Sequence, residues 1–132
     1  MQYLLDTNIC VFLFRGKYDI NKKIAHVGWK NCCISEVTVA ELKYGVECSA
    51  HPKENENILK DFLQRIAIIP FVTAIDEYAK EKARLRKAGK PIDDFDLLIA
   101  CTAKANKLTV VTDNEKHFER ISKLIIENWV ER

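Results

Sequence analysis

The feature that most narrows the folds open to this chain is the shortness of its apolar runs. YLL near the start, then NCCIS, AIIPFV and LTVV, are each long enough for a strand and too short for a helix, and stretches of helical periodicity separate them. Short strands alternating with helices imply a mostly parallel sheet, because a parallel return needs a crossover and the crossover helices then cover both faces. At 132 residues and 48% hydrophobic content the chain can bury one core without a metal or disulfide staple, so residues 1–132 are read as a single domain.

After YLL, an apolar pattern of a different period runs from Ile9 to Phe14, which places Asp6 at a strand-to-helix junction. A second helix is expected in DINKKIAHVGW, and Ser35 is placed to cap a third in EVTVAELKYGVECS. Pro52 introduces KENENILKDFLQRI, whose Ile58, Leu59, Phe62, Leu63 and Ile66 recur at the spacing of an amphipathic surface helix. Pro70 marks an edge or the end of the AIIPFV strand, and Thr73 opens a long charged helix with a capping-box-like TAID, closed by Gly89 and Pro91. DDFDLLIACTAKANK is apolar almost all round and is read as a helix buried in the middle of the domain. NEKHFERI is a short helix, and KLIIENWV a last strand or an extended tail.

Charge and cysteine content exclude several classes. The start carries no basic segment with an apolar core and cleavage site, and charges interrupt every apolar run before membrane-spanning length, so a cytoplasmic location is expected. Cys10, Cys32, Cys33, Cys48 and Cys101 show no CxxC spacing and no histidine pair to complete a zinc site, which reads as reduced, mostly buried thiols. His26, His51 and His117 are scattered, with surface or locally bonded roles expected. A net charge of +2 argues neither for nor against a nucleic-acid partner, but its distribution is uneven. In KEKARLRKAGK, Lys80, Lys82, Arg84, Arg86, Lys87 and Lys90 face only Glu81, as a solvated helix face or a phosphate-contacting one.

Four carboxylates stand out against this background. LLD at the start is echoed by VVTD near the end, and two strands of one parallel sheet that stop on aspartate bring Asp6 and Asp113 to the same sheet edge. Glu41 lies inside VAEL and Asp96 inside FDLLIA, each flanked by apolar residues, with no lysine or arginine within a helical turn of Asp96. Each has an ordinary alternative: capping for Asp6, a half-exposed helix face for Glu41, a first-turn position favoured by the helix dipole for Asp96. Taken together, an oxygen-only set without histidine or cysteine selects Mg2+ or Mn2+, and such an ion beside a basic helix points to phosphate chemistry.

LLDTN, VAELKYG, DLLIA and VVTDN, in this order and spacing, with HFERI and ENWV behind them, resemble the PIN-domain ribonucleases, specifically the VapC-type toxins of type II toxin–antitoxin pairs. The resemblance spans nearly the whole chain. It implies a three-layer α/β/α domain with a parallel sheet of four to five strands, and it implies that Asp6, Glu41, Asp96 and Asp113 surround the metal. Thr112 and Ser35 match small hydroxyl positions near such sites, and Asn8 matches a polar residue that supports the first aspartate. Where many relatives have glycine before DLLIA this chain has PIDDFD, which adds Asp93 and Asp94; Asp93 is read as the helix cap, with metal contact as its alternative.

The implied activity is Mg2+- or Mn2+-dependent hydrolysis of an RNA phosphodiester, in tRNA or ribosomal RNA, leaving a 5′-phosphate and a 3′-OH. Asp6 and Asp96 are expected to hold the ion directly, Glu41 and Asp113 through water or around a second ion, and capping after LLD falls to Thr7 or Asn8. Lys80, Arg84, Arg86, Lys87 and Lys90 are the RNA-contacting candidates. A small antitoxin is the implied partner, with an arginine or lysine entering the acidic pocket; DNA is met only through it, as this chain shows no helix-turn-helix. A homodimer through apolar surfaces of the early helices is expected. The rival within enzymes is a haloacid-dehalogenase-type phosphatase, disfavoured because Asn8 stands where DxD needs an acid; outside enzymes it is a non-catalytic PIN-like module that binds RNA or protein.

Overall fold

Leu4 and Leu5 are neighbours in sequence and both are fully buried, yet they belong to different cores. The computed structural model, which describes all 132 residues, shows why. Five strands, β1 (Tyr3–Leu5), β2 (Cys32–Ser35), β3 (Ala67–Ile69), β4 (Thr109–Val111) and β5 (Ile126–Glu127), form one parallel sheet in the order β3-β2-β1-β4-β5. Seven α-helices surround it: α1 (Thr7–Phe14), α2 (Ile20–Val27), α3 (Glu36–Glu47), α4 (Pro52–Arg65), α5 (Ile75–Lys87), α6 (Asp94–Ala105) and α7 (Glu115–Phe118). Side chains alternate across a strand. Leu5, Cys32, Ile34 and Val111 therefore pack with Ile9, Ile20, Ile24, Leu59 and Phe62 of α1, α2 and α4, while Leu4, Cys33 and Val110 pack with Leu85, Leu97, Ala100 and Phe118 of α5, α6 and α7. The result is the expected three-layer arrangement, with α3 joining the layers through Val37 in one core and Leu42 in the other.

The strand order places a functional edge. From β1 the chain steps outward on one side to β2 and β3, then returns across the sheet to β4 and β5 on the other. Connections on the two sides of β1 diverge, and the crevice at such a switch point, beyond the carboxyl ends of the strands, is where open α/β sheets bind ligands. The register pairs Leu5 with Val111, and the Asp6 N–H donates to the Val111 carbonyl at 2.9 Å, so the residues that follow β1 and β4 meet there.

Two local expectations are corrected. Thr73 does not cap the charged helix, because its hydroxyl donates back to the Pro70 carbonyl at 2.9 Å and residues 71–74 form a 3-10 turn; α5 starts at Ile75 without a side-chain cap. Its other end is as read: Gly89 takes φ +70°, and the Lys90 N–H reaches the Leu85 carbonyl at 2.9 Å, a Schellman closure that glycine enters without a Cβ penalty. The second correction concerns Glu81, which is buried instead of serving as a lone surface counter-charge. It accepts hydrogen bonds from Arg84 at 2.8 Å, Ser122 Oγ at 2.7 Å and Lys104 Nζ at 3.2 Å, which ties α5 to α6 and to the segment after α7. Burial opposes ionisation, but these donors outweigh it and hold the carboxyl at about 2.

The cysteines form no disulfide; Cys10, Cys32, Cys33 and Cys101 are buried and Cys48 is exposed. No helix is long and apolar enough to cross a membrane. The first helix keeps Val11, Phe12, Leu13 and Phe14 partly exposed, and further apolar side chains, including Ile68, Phe71, Val72 and Ile75, are exposed elsewhere.

Glu81→Ala leaves Lys104 and Arg84 without their shared carboxylate, and should lower the unfolding free energy by about 3 kcal/mol, read from the urea midpoint. Arg84→Ala, which removes a guanidinium in a side chain 45% exposed, should cost less than about 1 kcal/mol.

Candidate active site

Asp6 is 4% exposed, unusually deep for a carboxylate, and both of its oxygens are engaged. Its backbone is still extended, so its side chain is in position to cap α1: Oδ1 accepts the Thr7 N–H at 2.8 Å. Oδ2 accepts the Thr112 hydroxyl at 2.7 Å, across the β1–β4 seam. Thr112 is itself fixed, since its Oγ1 accepts the Asn114 N–H at 2.9 Å. Capping therefore belongs to Asp6 and not to Thr7 or Asn8, because Thr7 is already the first helical residue. The Thr7 hydroxyl, freed from that task, donates to Glu41 Oε1 at 2.7 Å and lies 3.0 Å from the Thr38 hydroxyl.

Three of the four predicted acids come together. Burial raises the Asp6 carboxyl to about 6, with the charges of Asp96 and Glu41 adding to it and the Thr112 and Thr7 hydrogen bonds opposing it. Glu41, from α3, is raised by burial and by Asp96 and Asp93, against the Thr7 hydrogen bond. Asp96, in the first turn of α6, is raised by burial and by Asp93; His117 opposes this, with Nδ1 3.7 Å from Oδ2 and 2.9 Å from Asn114 Nδ2. Asp93 caps α6, Oδ2 accepting the Phe95 N–H at 3.1 Å, and exposed Asp94 pairs with Lys82 at 2.9 Å.

Asp113 stands apart. It bears on none of the other three carboxyls, and Arg132 grips it with two nitrogens, at 2.8 Å to Oδ1 and 2.7 Å to Oδ2, which holds its carboxyl below the usual range. Asn128 Nδ2 adds a third donor at 3.2 Å. Ser35 shapes the site indirectly: its Oγ accepts the Val37 N–H at 3.1 Å and caps the helix that carries Glu41. Asn8 makes no bond to Asp6, and its buried Oδ1 has no partner. Of the basic candidates, Arg84 is committed to Glu81, while Lys80, Arg86, Lys87 and Lys90 are exposed and form no ion pair.

Thr7, Thr38, Asn114, His117, Asn128 and Arg132 are the contributors that residue-by-residue reading of the chain does not single out. Thr7 carried a signal in LLDTN; for Arg132 there is none, since its partner lies 19 residues away.

The donor set suits a hard cation. Asp96 and Glu41 raise the proton affinity of Asp6, and Asp96 that of Glu41, with no lysine or arginine paired to any of the three, and all their ligating atoms are oxygen. The orphaned Asn8 Oδ1 offers another oxygen. No three carboxylate, imidazole or thiol groups converge into a ready-made cage.

Comparison with known proteins gives the family. The PIN domain matches residues 3–124. The chain is 34% identical over 130 residues to the tRNA(fMet)-specific endonuclease VapC of Shigella flexneri, covering 98% of each chain. It is 41% identical over 132 residues to ribonuclease VapC2 of Rickettsia felis, again covering 98% of each. Among solved structures, that of DNA-bound VapBC from Salmonella typhimurium superposes with a TM-score of 0.92 at 33% identity, covering 98% of each chain. A five-stranded parallel sheet with an acidic switch point, matched at full length by such relatives, places the chain in the PIN-domain family of VapC ribonucleases.

Proposed function

We propose that this protein is a toxin endoribonuclease that hydrolyses RNA with a divalent cation, Mg2+ or Mn2+, held by Asp6, Glu41 and Asp96, and leaves a 5′-phosphate and a 3′-OH. The observation that carries the reading is that the charges of Asp96 and Glu41 bear on buried Asp6 at the β1–β4 switch point, with no arginine or lysine paired to any of the three. When bound, the cation neutralises phosphate charge and makes a water more acidic. The residues supply the rest. Thr112 and the Thr7 N–H fix both oxygens of Asp6, so that ligand is oriented before substrate arrives. Thr7 fixes Oε1 of Glu41, and Oε2, which has no protein partner, is free to take a proton from the attacking water. The 2′-OH is then a bystander. Lys80, Arg86, Lys87 and Lys90 supply unpaired charge for backbone phosphates.

Transfer RNA is the first substrate to test, given the Shigella relative's name, with ribosomal RNA next. An antitoxin is the partner this reading supplies, supported by the VapBC complexes among the structural neighbours, and contact with DNA belongs to that partner. An arginine or lysine of such a partner fits the three-carboxylate pocket. A cytoplasmic setting accords with the unpaired cysteines. For a homodimer, the candidate contacts are the partly exposed Val11, Phe12, Leu13 and Phe14 of the first helix and the exposed Ile68, Phe71, Val72 and Ile75.

Incubated with total RNA, partner-free protein should yield discrete fragments in Mg2+ or Mn2+ and none in EDTA. Asp6→Asn, Glu41→Gln and Asp96→Asn should each lower the rate by about a hundredfold or more, about 2.7 kcal/mol of barrier. Cleavage undiminished by EDTA, or 2′,3′-cyclic phosphate ends, would overturn the mechanism.

The same aspartate makes stability depend on pH. Folded Asp6 keeps its proton to about 6 whereas the unfolded side chain releases it near 3.8, so between these values the folded state binds more protons. Its contribution to stability is full below the lower value and is lost as pH rises through the upper one. In EDTA, Asp6→Asn should therefore raise the melting temperature at pH 7.5, by on the order of 2 kcal/mol of stability, with little gain at pH 4. A variant less stable than wild type at pH 7.5 would show that the aspartate's charge is not a burden there.

A further inference from the structure

The fourth carboxylate at the sheet edge already has a cation of its own. Arg132 donates from both terminal nitrogens, one to each oxygen of Asp113, at 2.8 and 2.7 Å. This is the fork-to-carboxylate geometry in which arginine binds most specifically, and it sets a full positive charge against both oxygens, where Asp6 has only neutral donors.

The arginine is held in place by its surroundings. Residues after β5 form a strap: Trp129 is buried against Tyr3 with ring centroids 5.3 Å apart, and Asn128 Oδ1 accepts the Val130 N–H at 2.9 Å. Glu131 pairs with Lys23 of α2 at 2.6 Å. The guanidinium then lies 5.3 Å from the centroid of Tyr18, whose ring packs edge-on against Phe12 at 4.9 Å. Tyr18 and Asp19 have φ of +57° and +52°, a conformation that costs a residue with a Cβ and persists where surrounding contacts enforce it. The turn before α2 thus presents an aromatic face to Arg132, while the strap delivers the guanidinium between that face and Asp113.

We propose that Arg132 acts as a resident cation that withholds Asp113 and so limits the centre to a single divalent ion. This rests on the function proposed above, in which Asp6, Glu41 and Asp96 hold an ion. Those three carboxylates have no arginine or lysine bound to them, so a divalent ion is the cation that meets their charge. Beyond them, Asp93 is committed through Oδ2 to capping α6, and while Asp113 is taken a second ion lacks the carboxylate that follows Thr112. Asp113 directly follows Thr112, which bonds Asp6, so once released it is available at the same edge.

Binding of Mn2+ to the full chain, free of partner protein, tests this without reference to catalysis; free Mn2+ is counted by its electron paramagnetic resonance signal. Wild type should bind one ion. Arg132→Ala should bind a second, and Arg132→Ala combined with Asp113→Asn should return to one. Circular dichroism establishes that each variant is folded. Two ions on wild type, or one on folded Arg132→Ala at the wild-type affinity, would overturn the proposal while leaving the nuclease reading intact. Loss of the first ion in folded Arg132→Ala would also overturn it, making the arginine a prop for the site and not a restraint. Wild type that binds no Mn2+ defeats the function proposed above and this inference with it.

Discussion

The hydrogen bond from Thr112 to Asp6 joins the two halves of the molecule at the point on which the site depends. β1 and β4 lie far apart in sequence but adjacent in the sheet, and their carboxyl ends meet where the chain reverses its direction of travel across the sheet. A carboxylate at that seam can be buried only if its oxygens are satisfied, and it is satisfied from both sides: by a helix N-terminus through Thr7 and by a neighbouring strand through Thr112. Remove either donor and Asp6 loses its orientation as well as part of what makes its burial tolerable.

Burial of this kind stores unfavourable energy where a ligand will later use it. Asp96 and Glu41 raise the proton affinity of Asp6, and the arrangement persists because the layers around it are well packed: the cap of α1 and the helices α3 and α6 present the acids, and the apolar residues of these helices are locked into the two cores. The rigid parts are distributed accordingly. Ser35 and Asp93 cap the helices that deliver Glu41 and Asp96, and Glu81 fastens α5 to α6 from the far side of that layer. Glu81 and Asp6 are both buried acids with opposite behaviour, and the difference lies in their partners. Glu81 meets two cations and a hydroxyl, whereas Asp6 meets neutral donors and two further carboxylates.

What could be read from the chain alone followed from locality. The strands announced themselves by length and by the change of period after each, and Cys32 and Cys33, adjacent in sequence, do face opposite layers. Caps at Ser35 and Asp93 were legible because the capping residue and its N–H lie two positions apart. Acids set among apolar neighbours marked Glu41 and Asp96 for the same reason. Failures came where a residue had two local uses or a distant partner. Thr73 had the spacing of a cap, but its hydroxyl turned back to Pro70. Glu81 looked like a surface charge because Ser122, one of the groups that buries it, is 41 residues away. Arg132 lies beyond every motif, and nothing in its neighbourhood points to Asp113.

The contrast between Asp113 and the other acids bears on how such a centre can be silenced. A cation delivered from outside is drawn to Asp6, Glu41 and Asp96, with Asp93 beside them, which pair with no arginine or lysine, while Asp113 is already engaged by the strap. On the proposed function, an inhibitory arginine or lysine and a divalent ion are alternative occupants of one pocket, because the charge that attracts either is met once by whichever arrives. On the further proposal, Arg132 sharpens that exclusivity by withholding Asp113. Affinity for the inhibitor and affinity for the metal are thereby coupled through the same three side chains, and a change that weakens one should weaken the other.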